Sequence, residues 1–294
     1  MRMKVCGFTI IRNAVKLDYP VAEAIRSILP VCDEMVVAVG RSEDNTLEVI
    51  RSIDPQKIRV IETVWDDRQR EGGRVLALET DKAFAAIPPD ADWCFYIQGD
   101  EVLHEKYLPA VREAMERYLS DPEVEGLLFH YQHFYGSYDY VGDSWKWYRR
   151  EIRIVRNKKG IFSYRDAQGF RIRPNRKLRV RLIDATIYHY GWVREPKAMR
   201  RKQEAFNQLY HDDQWIRKNI PREADFDYSQ IDSLARFTGS HPRVMEERIR
   251  RLNWRFDHDL SKNRFSFRER LKRLASFLLF GYRVAEYKNY KLLK

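Results

Sequence analysis

The alternation of short apolar runs with helix-like segments is the sequence feature that most constrains the fold. Five apolar runs short enough to be buried strands lie at 5–11, 34–39, 58–61, 93–97 and 126–130. Segments with apolar residues at helical spacing lie between them, at 20–29, 42–50, 73–86 and 105–119. This order predicts an α/β fold with a mostly parallel central sheet flanked by helices. Because ligands bind beyond the carboxyl ends of such strands, we expect chemistry in the loops after Ile11, Val39 and Ile97.

The second half of the chain is less regular. Alternating apolar and polar residues at 152–156 and 161–164 predict antiparallel strands, and 183–188 predicts another short strand. Residues 197–211 and 243–258 have helical spacing.

Charge is divided unevenly along the 294 residues. The formal net charge is +11, but residues 1–147 hold 17 Lys+Arg against 26 Asp+Glu, whereas residues 148–294 hold 37 against 17. Such a basic half is typical of a surface that meets a phosphorylated substrate, an anionic membrane or a nucleic acid. No helix-turn-helix, zinc-finger or RRM pattern is present, so we expect no nucleic-acid partner.

Apolar runs and cysteines bear on the expected location. No run of 18 apolar residues is present, which predicts no membrane span, and the first residues lack the apolar stretch of a signal peptide. The three cysteines, Cys6, Cys32 and Cys94, predict buried thiols instead of a disulfide or zinc framework. We expect a cytoplasmic protein, or one at the inner face of the cell membrane.

Polar residues follow two of the predicted strands. Strand 93–97 leads into Gln98, Gly99, Asp100 and Glu101, and these carboxylates suit a hard divalent cation that also binds substrate phosphates. The alternative is that they cap the helix that follows. Strand 34–39 leads into a loop with Ser42, Asp44 and Thr46, which suits a nucleotide site or an ordinary helix N-cap.

Several segments, in order, carry a family resemblance. They are Phe8-Thr9-Ile10-Ile11-Arg12-Asn13, Asp33-Glu34-Met35-Val36-Val37 with Ser42-x-Asp44-x-Thr46, Arg74-Val75-Leu76-Ala77-Leu78, Tyr96-Ile97-Gln98-Gly99-Asp100-Glu101, and Ile187-Tyr188-His189-Tyr190-Gly191-Trp192-Val193-Arg194 with Lys202. This ordered set resembles the family 2 glycosyltransferases, which have the GT-A fold. The first four segments correspond to the family's nucleotide side, and the last resembles the strand end and Lys-bearing helix that close its site.

The resemblance implies a reaction and a domain organisation. It implies a metal-dependent, inverting glycosyltransferase that moves a sugar from a nucleotide-diphosphate donor to a glycan or lipid-linked acceptor in surface polysaccharide synthesis. It also implies a GT-A domain over 1–215, with a nucleotide-binding half at 1–105 and an acceptor half at 106–215. Residues 216–294 would form a helical basic extension.

Roles for individual residues follow from the same resemblance. Asp100, with His189 as a second contact, would hold Mn²⁺ or Mg²⁺. Residues expected around the donor are Thr9, Arg12, Asp44, Arg74, Gln98, Arg194 and Lys202. Gln98 stands where the family has the first Asp of its Asp-x-Asp, Val75 where it has Asn, and Val39 or Gly40 where an Asp often contacts the base. These departures leave open an alternative function, a catalytically inactive binding protein with the GT-A fold.

The catalytic base is less clearly marked by the sequence. Asp166 follows a predicted strand and stands where a subgroup of the family has a His-Glu pair, and we predict it as the base. The alternative is an ordinary turn aspartate. Asp143 and Glu195 are the other candidates.

Two further segments each permit two interpretations. The aromatic-rich stretch 130–148 suits either stacking on a sugar acceptor or a packing layer between the two halves. Residues 265–294 contain eight Lys+Arg and two Glu and are amphipathic. They suit either the interface of an anionic membrane or a helix that packs its Leu and Phe residues on the domain.

Overall fold

The computed structural model describes residues 2–69, 71–219, 225–279 and 286–293. The strands are β1 (Val5–Ile11), β2 (Glu34–Gly40), β3 (Ile58–Thr63), β4 (Trp93–Tyr96), β5 (Glu101–Leu103), β6 (Gly126–Tyr135), β7 (Ser137–Gly142), β8 (Arg150–Arg156), β9 (Ile161–Tyr164), β10 (Gly169–Ile172), β11 (Arg176–Lys177), β12 (Arg179–Trp192), β13 (Leu234–Arg236) and β14 (Lys291–Leu292). The α-helices are α1 (Val21–Ile28), α2 (Thr46–Ile53), α3 (Arg74–Ala85), α4 (Leu108–Arg117), α5 (Pro196–Asn207), α6 (Asp213–Asn219), α7 (Glu246–Arg250) and α8 (Phe267–Leu278).

One large sheet organises the molecule. Its core order is β3-β2-β1-β4-β8-β6, with β12 beside β6. Strands β1 to β4 are parallel to one another, β8 is antiparallel to both β4 and β6, and β12 is parallel to β6. The predicted α/β fold with helices around a mostly parallel central sheet is therefore confirmed. The expected strands at 126–130 and 183–188 are parts of the longer β6 and β12.

Helices cover both faces of the parallel strands because successive strand residues point to opposite faces. In β2, Met35, Val37 and Val39 pack with α1, α2 and α4, whereas Val36 and Ala38 pack with α3. The three cysteines are buried free thiols in these two clusters, as predicted. Within the described residues, every helix is too short or too polar to cross a lipid bilayer.

Strands beyond residue 215 extend the same sheet. β13 pairs with β7 at one edge, and β14 pairs with the start of β12. A small second sheet, β11-β10-β9, packs beside α3. The division at residue 215 stays a prediction, and residues 220–224, 280–285 and 294 of the predicted extension lie outside the described residues.

The predicted helix over 243–258 is confirmed only as far as Arg250 and is wrong over 251–258. A single turn precedes α7, which ends at Arg250, and no regular structure follows until residue 260. The reason is aromatic packing: Trp254 Nε1 donates to the Gly136 carbonyl at 2.8 Å, and Phe256 lies against Gly136 so closely that a Cβ there would be 2.4 Å from the ring. These contacts on the β6–β7 hairpin hold the segment extended.

Candidate active site

A cleft of about 1140 Å³ opens beyond the carboxyl ends of β1, β2 and β4. Strand order reverses between β1 and β4, which is where open α/β sheets bind ligands. The first side of the cleft is formed by the loops after β1 and β2, and the opposite side by the end of β12, α5 and the β9–β10 hairpin.

Side chains join the loops after β1 and β2. The backbone N–H groups of Asn13 and Ala14 donate to Ser42 Oγ and Thr46 Oγ1 at 2.9 and 2.7 Å. Asp44 accepts from the backbone N–H of Lys16 and of Thr46. Burial opposes the charge of Asp44, but these hydrogen bonds hold its pKa below the usual value. The Ser-x-Asp-x-Thr pattern thus builds the loop; Asp44 itself does not line the cleft.

Trp65, in the loop after β3, also lines the cleft, although the sequence analysis did not single it out. Trp65 lies over Gly40, where an added Cβ would be 2.4 Å from Trp65 Nε1, so only glycine fits at the end of β2. The Arg12 guanidinium stacks on the Trp65 ring at 4.4 Å and pairs with Asp67 at 3.0 Å. Trp65 is only 9% exposed and lies beneath Arg12, so the surface offered on this side is the flat Arg12 guanidinium backed by the Trp65 ring, a cationic plane of the kind that binds a nucleobase.

The turn after β4 places one carboxylate at the centre of the cleft. Asp100 Oδ2 accepts from Lys202 Nζ at 2.9 Å, and Asp100 Oδ1 lies 3.7 Å from His189 Nε2. Burial alone would raise the pKa of Asp100, but Lys202, His189 and Arg194 hold it well below the usual range. Burial and the nearby Arg194 in turn lower the pKa of Lys202 to about 8, despite the attraction of Asp100.

Asp100 and His189 fit a divalent cation. Their facing atoms are too far apart for a hydrogen bond, and two metal–ligand bonds of about 2.1 Å can span the gap. In the described part of the chain, no cluster of three or more His, Cys, Asp or Glu side chains forms a metal site. A cation held here therefore needs its remaining ligands from water and from substrate phosphates, as Mg²⁺ usually does.

A fully buried ion pair supports this turn. Arg153 Nε donates to Glu101 Oε2 at 2.7 Å, and both side chains are 0% exposed. Glu101 also accepts from the Gln98 backbone N–H at 3.1 Å and from the Tyr131 hydroxyl. Glu101 is thus a structural anchor, which explains the second carboxylate of the Asp-Glu pair without a ligand role.

Gln98 ties the turn to the β9–β10 hairpin. Its Nε2 donates to the Ala167 carbonyl at 3.1 Å. An aspartate at this position has no donor and would face that carbonyl with a negative charge.

We therefore expect Gln98→Asp, which introduces the aspartate that the family resembled by the sequence has at this position, to lower the free energy of unfolding by about 1–3 kcal/mol. Urea denaturation measures it, with Gln214→Asp on the exposed face of α6 as the control. Equal stability of Gln98→Asp and the wild type would contradict the role of this hydrogen bond.

Asp166 is held in the cleft by a strained turn and a tyrosine. Its neighbours Arg165 and Ala167 both have left-handed backbone, with φ of 57° and 62°, which is costly for residues other than glycine. Tyr210 donates its hydroxyl to Asp166 Oδ2 at 2.7 Å. Gly73 packs against this pair, since a Cβ there would lie 2.8 Å from Asp166 Cβ. Asp166 lines the cleft and also a second cavity of about 670 Å³.

The remaining predicted residues divide between the cleft and its surroundings. Arg12, Gln98, Asp100, His189 and Lys202 line the cleft. Thr9 is buried in β1 and Arg74 lines the second cavity.

Arg194 is fully buried and does not line the cleft. Its guanidinium donates to the Leu17 and Gly191 carbonyls at 3.1 and 2.6 Å. Its positive charge contributes to lowering the pKa of Asp100 in the cleft.

The other two base candidates, Asp143 and Glu195, lie away from the cleft lining. Asp143 pairs with Arg273 at 2.7 Å. In the aromatic-rich stretch 130–148, most rings are buried in packing, and Tyr148 is the one that lines the cleft.

Glu151, behind the hairpin, gives the fold a pH dependence. Burial raises its pKa to about 7, although Arg153 and the Ile152 N–H favour the charge. The folded pKa lies above the unfolded value, so this contribution to stability is complete below about pH 4.5 and is lost as pH rises through 7.

Between pH 5.5 and 8.5, ionisation of Glu151 should lower the free energy of unfolding of the wild type by about 2 kcal/mol. We expect Glu151→Gln to lack this decrease. The free energy of unfolding of both proteins at the two pH values measures it. An identical pH dependence in both would contradict a protonated Glu151.

Comparisons with known proteins complete the description of the site. No family model matches the chain, and no curated protein matches it. The strand order, the reversal between β1 and β4 and the cleft at that point agree with the fold that the sequence resemblance implies. The chain has a GT-A glycosyltransferase-like fold.

Solved structures match this GT-A-like chain at low identity. One is S. aureus TarS 1–349, with a TM-score of 0.40 and 11% identity over 69% of this chain and 64% of that chain. Another is glucosyl-3-phosphoglycerate synthase from Mycobacterium tuberculosis, crystallised with Mn²⁺, UDP and phosphoglyceric acid, with a TM-score of 0.30 and 17% identity over 45% of this chain and 43% of that chain. The chain thus spans less than two thirds of the length of each of these two matched proteins. Similarity at this level says nothing about the reaction.

Proposed function

We propose that the chain is an inverting, metal-dependent glycosyltransferase of surface polysaccharide synthesis. It moves a sugar from a nucleotide-diphosphate donor to a glycan or lipid-linked acceptor. The observation that carries the proposal is the convergence of Asp100, His189 and Lys202 in the cleft that Asp166 also lines. Asp100 and His189 would hold Mn²⁺ or Mg²⁺, which would offset the charge of the leaving diphosphate.

Donor binding uses both sides of the cleft. The nucleoside lies at Trp65 and Arg12, and the diphosphate extends toward Lys202. The Lys202 ammonium has three donors, of which Asp100 takes one and the Gly191 carbonyl another at 2.7 Å. The third remains for a phosphate oxygen.

Transfer needs a base opposite the leaving group. The acceptor hydroxyl oxygen attacks the anomeric carbon, and Asp166 takes the hydroxyl proton as the new bond forms. The bond from the anomeric carbon to the β-phosphate oxygen breaks, and the nucleoside diphosphate leaves with its electron pair. Tyr210 holds one oxygen of Asp166, which leaves the other for the acceptor.

The alternative is a catalytically inactive GT-A-fold protein that binds a nucleotide sugar or glycan. Gln98 in place of an aspartate favours it, as does the Lys202–Asp100 ion pair, which already neutralises the remaining aspartate of the turn.

Incubation with UDP-, GDP- and dTDP-sugars and Mn²⁺ separates the two functions. We expect release of the nucleoside diphosphate from at least one donor, lost in Asp100→Asn and retained in Asp184→Asn, an exposed aspartate on β12. Binding without turnover supports the inactive protein, and the absence of both binding and turnover contradicts the proposal.

Contact with an anionic membrane is the second part of the proposal. Helix α8 turns its polar side to the body, where Ser276 is buried and Arg273 donates to Asp143. Its apolar residues point outward: Phe267, Leu271, Leu274, Phe277 and Leu278 are 51–80% exposed. Arg268, Arg270 and Lys272 flank this apolar surface. An exposed apolar stripe with a basic rim suits the interface of an anionic bilayer, where each basic residue contributes about 1 kcal/mol.

Sedimentation with vesicles tests the membrane contact. We expect the protein to bind phosphatidylglycerol vesicles, to bind phosphatidylcholine vesicles far less, and to be released by salt. Leu271→Glu with Leu274→Glu should abolish binding, whereas Leu260→Glu, an exposed leucine outside α8, should not. A wild type that stays in solution at low salt would contradict this contact.

A further inference from the structure

A second histidine lies directly behind His189. His133 on β6 is the register partner of His189 on the neighbouring β12. Their Nδ1 atoms are 3.1 Å apart, and His133 Nε2 lies 3.1 Å from the Tyr148 carbonyl oxygen. His133 is 5% exposed and does not line the cleft. A chain of two imidazoles therefore runs from a backbone carbonyl to the centre of the site.

The positions of the protons in this chain follow from its ends. A carbonyl oxygen only accepts, so His133 Nε2 carries a proton. Burial favours a neutral imidazole, which leaves His133 Nδ1 as an acceptor. The contact between the two Nδ1 atoms then requires the proton to be on His189 Nδ1. His189 Nε2 is left with a free lone pair, and this is the atom that faces Asp100 Oδ1 at 3.7 Å.

We propose that His133 is a positioning residue that fixes His189 as the Nδ1–H tautomer, so that His189 Nε2 is available to a divalent cation shared with Asp100. This inference rests on the proposed metal-dependent function. Histidines that ligate metals almost always donate their other ring N–H to a partner that sets tautomer and orientation. Here the partner is another imidazole, fixed in turn by the Tyr148 carbonyl.

The tautomer of His189 matters because the alternative, with the proton on Nε2, is favourable when no metal is bound. With its proton on Nε2, His189 presents an N–H to the Asp100 carboxylate and has no lone pair for a cation. Loss of the acceptor at His133 permits that state. Loss of a partner of this kind typically weakens metal binding 10–100-fold.

Titration of Mn²⁺ followed by electron paramagnetic resonance, in the presence of UDP, GDP or dTDP, tests the inference. Asparagine places an amide oxygen near the position of Nδ1, whereas glutamine places its amide near Nε2. We expect His133→Phe and His133→Gln to bind Mn²⁺ about 10–100-fold more weakly than the wild type. We expect His133→Asn to bind several-fold more tightly than His133→Gln.

His241→Phe is the matched control. His241 also bridges two groups, with Nδ1 2.9 Å from the Tyr190 hydroxyl and Nε2 3.1 Å from the Tyr138 carbonyl, but away from Asp100. It should leave Mn²⁺ affinity unchanged. A wild type that binds no Mn²⁺ with any nucleotide overturns the metal-dependent function together with this inference. If the wild type binds Mn²⁺ and all three His133 variants bind it as tightly as the wild type does, the inference alone is overturned.

Discussion

Asp166→Asn is expected to reduce the rate of sugar transfer about 10²–10⁴-fold, the range typical of general-base catalysis. The amide keeps the shape of the side chain and an oxygen for the Tyr210 hydroxyl, but it does not take the acceptor proton. The proposed donor site, at Arg12, Trp65 and Lys202, does not include Asp166, so the KM for the donor should change little while kcat falls. Steady-state kinetics with the donor and acceptor identified in the panel above provide the measurement.

Two controls distinguish a base from a structural aspartate. Asp143→Asn and Glu195→Gln alter carboxylates outside the cleft lining and should leave kcat near the wild-type value. Tyr210→Phe removes the hydrogen bond at 2.7 Å and should lower kcat less than Asp166→Asn does. If Asp166→Asn keeps the wild-type kcat, Asp166 is a turn residue and the base lies elsewhere.

Arg153→Met is expected to lower the free energy of unfolding by about 3–5 kcal/mol. The substitution leaves Glu101 charged, buried and without its partner, and unpaired buried charges are far more costly than the loss of the attraction alone. Because Glu101 also accepts from the Gln98 N–H, the turn that carries Asp100 should loosen as well. Urea denaturation gives the loss of stability.

A double variant tests the cause of that loss. Glu101→Gln combined with Arg153→Met removes both charges and should be more stable than Arg153→Met alone. Arg117→Met breaks an exposed ion pair with Glu113 on α4 and should cost less than about 1 kcal/mol. A cost for Arg153→Met as small as that for Arg117→Met would show that the buried pair contributes little.

Local pattern was sufficient to predict the parallel half of the sheet. β1, β2 and α3 appear within a residue or two of the predicted bounds because each has its own apolar spacing, and because β1 ends before Arg12 and β2 ends at Gly40. Pattern failed at 251–258, where helical spacing of apolar residues was outweighed by docking of Trp254 and Phe256 on the β6–β7 hairpin. The outward orientation of α8 was also open, since amphipathicity does not say which face meets the body.

Site residues could be predicted from the sequence where they directly follow a strand. Contacts between residues that are distant in sequence could not. Asp100 and His189 follow from motifs, but the pairing of His133 with His189 depends on the register of β6 against β12. Trp65 belongs to the site because Gly40 leaves room beneath its ring. Arg194 carries the charge expected of a phosphate ligand, yet backbone carbonyls take up its guanidinium inside the fold.

Calorimetric titration with UDP, GDP and dTDP, with and without Mn²⁺, measures whether the cleft is a metal-dependent nucleotide site. We expect that at least one nucleoside diphosphate binds, that it binds at least about tenfold more weakly without Mn²⁺, and that Asp100→Asn has the same effect as removing the metal. The contradicting result is binding of none of the three nucleotides, or affinity that neither Mn²⁺ nor Asp100 changes.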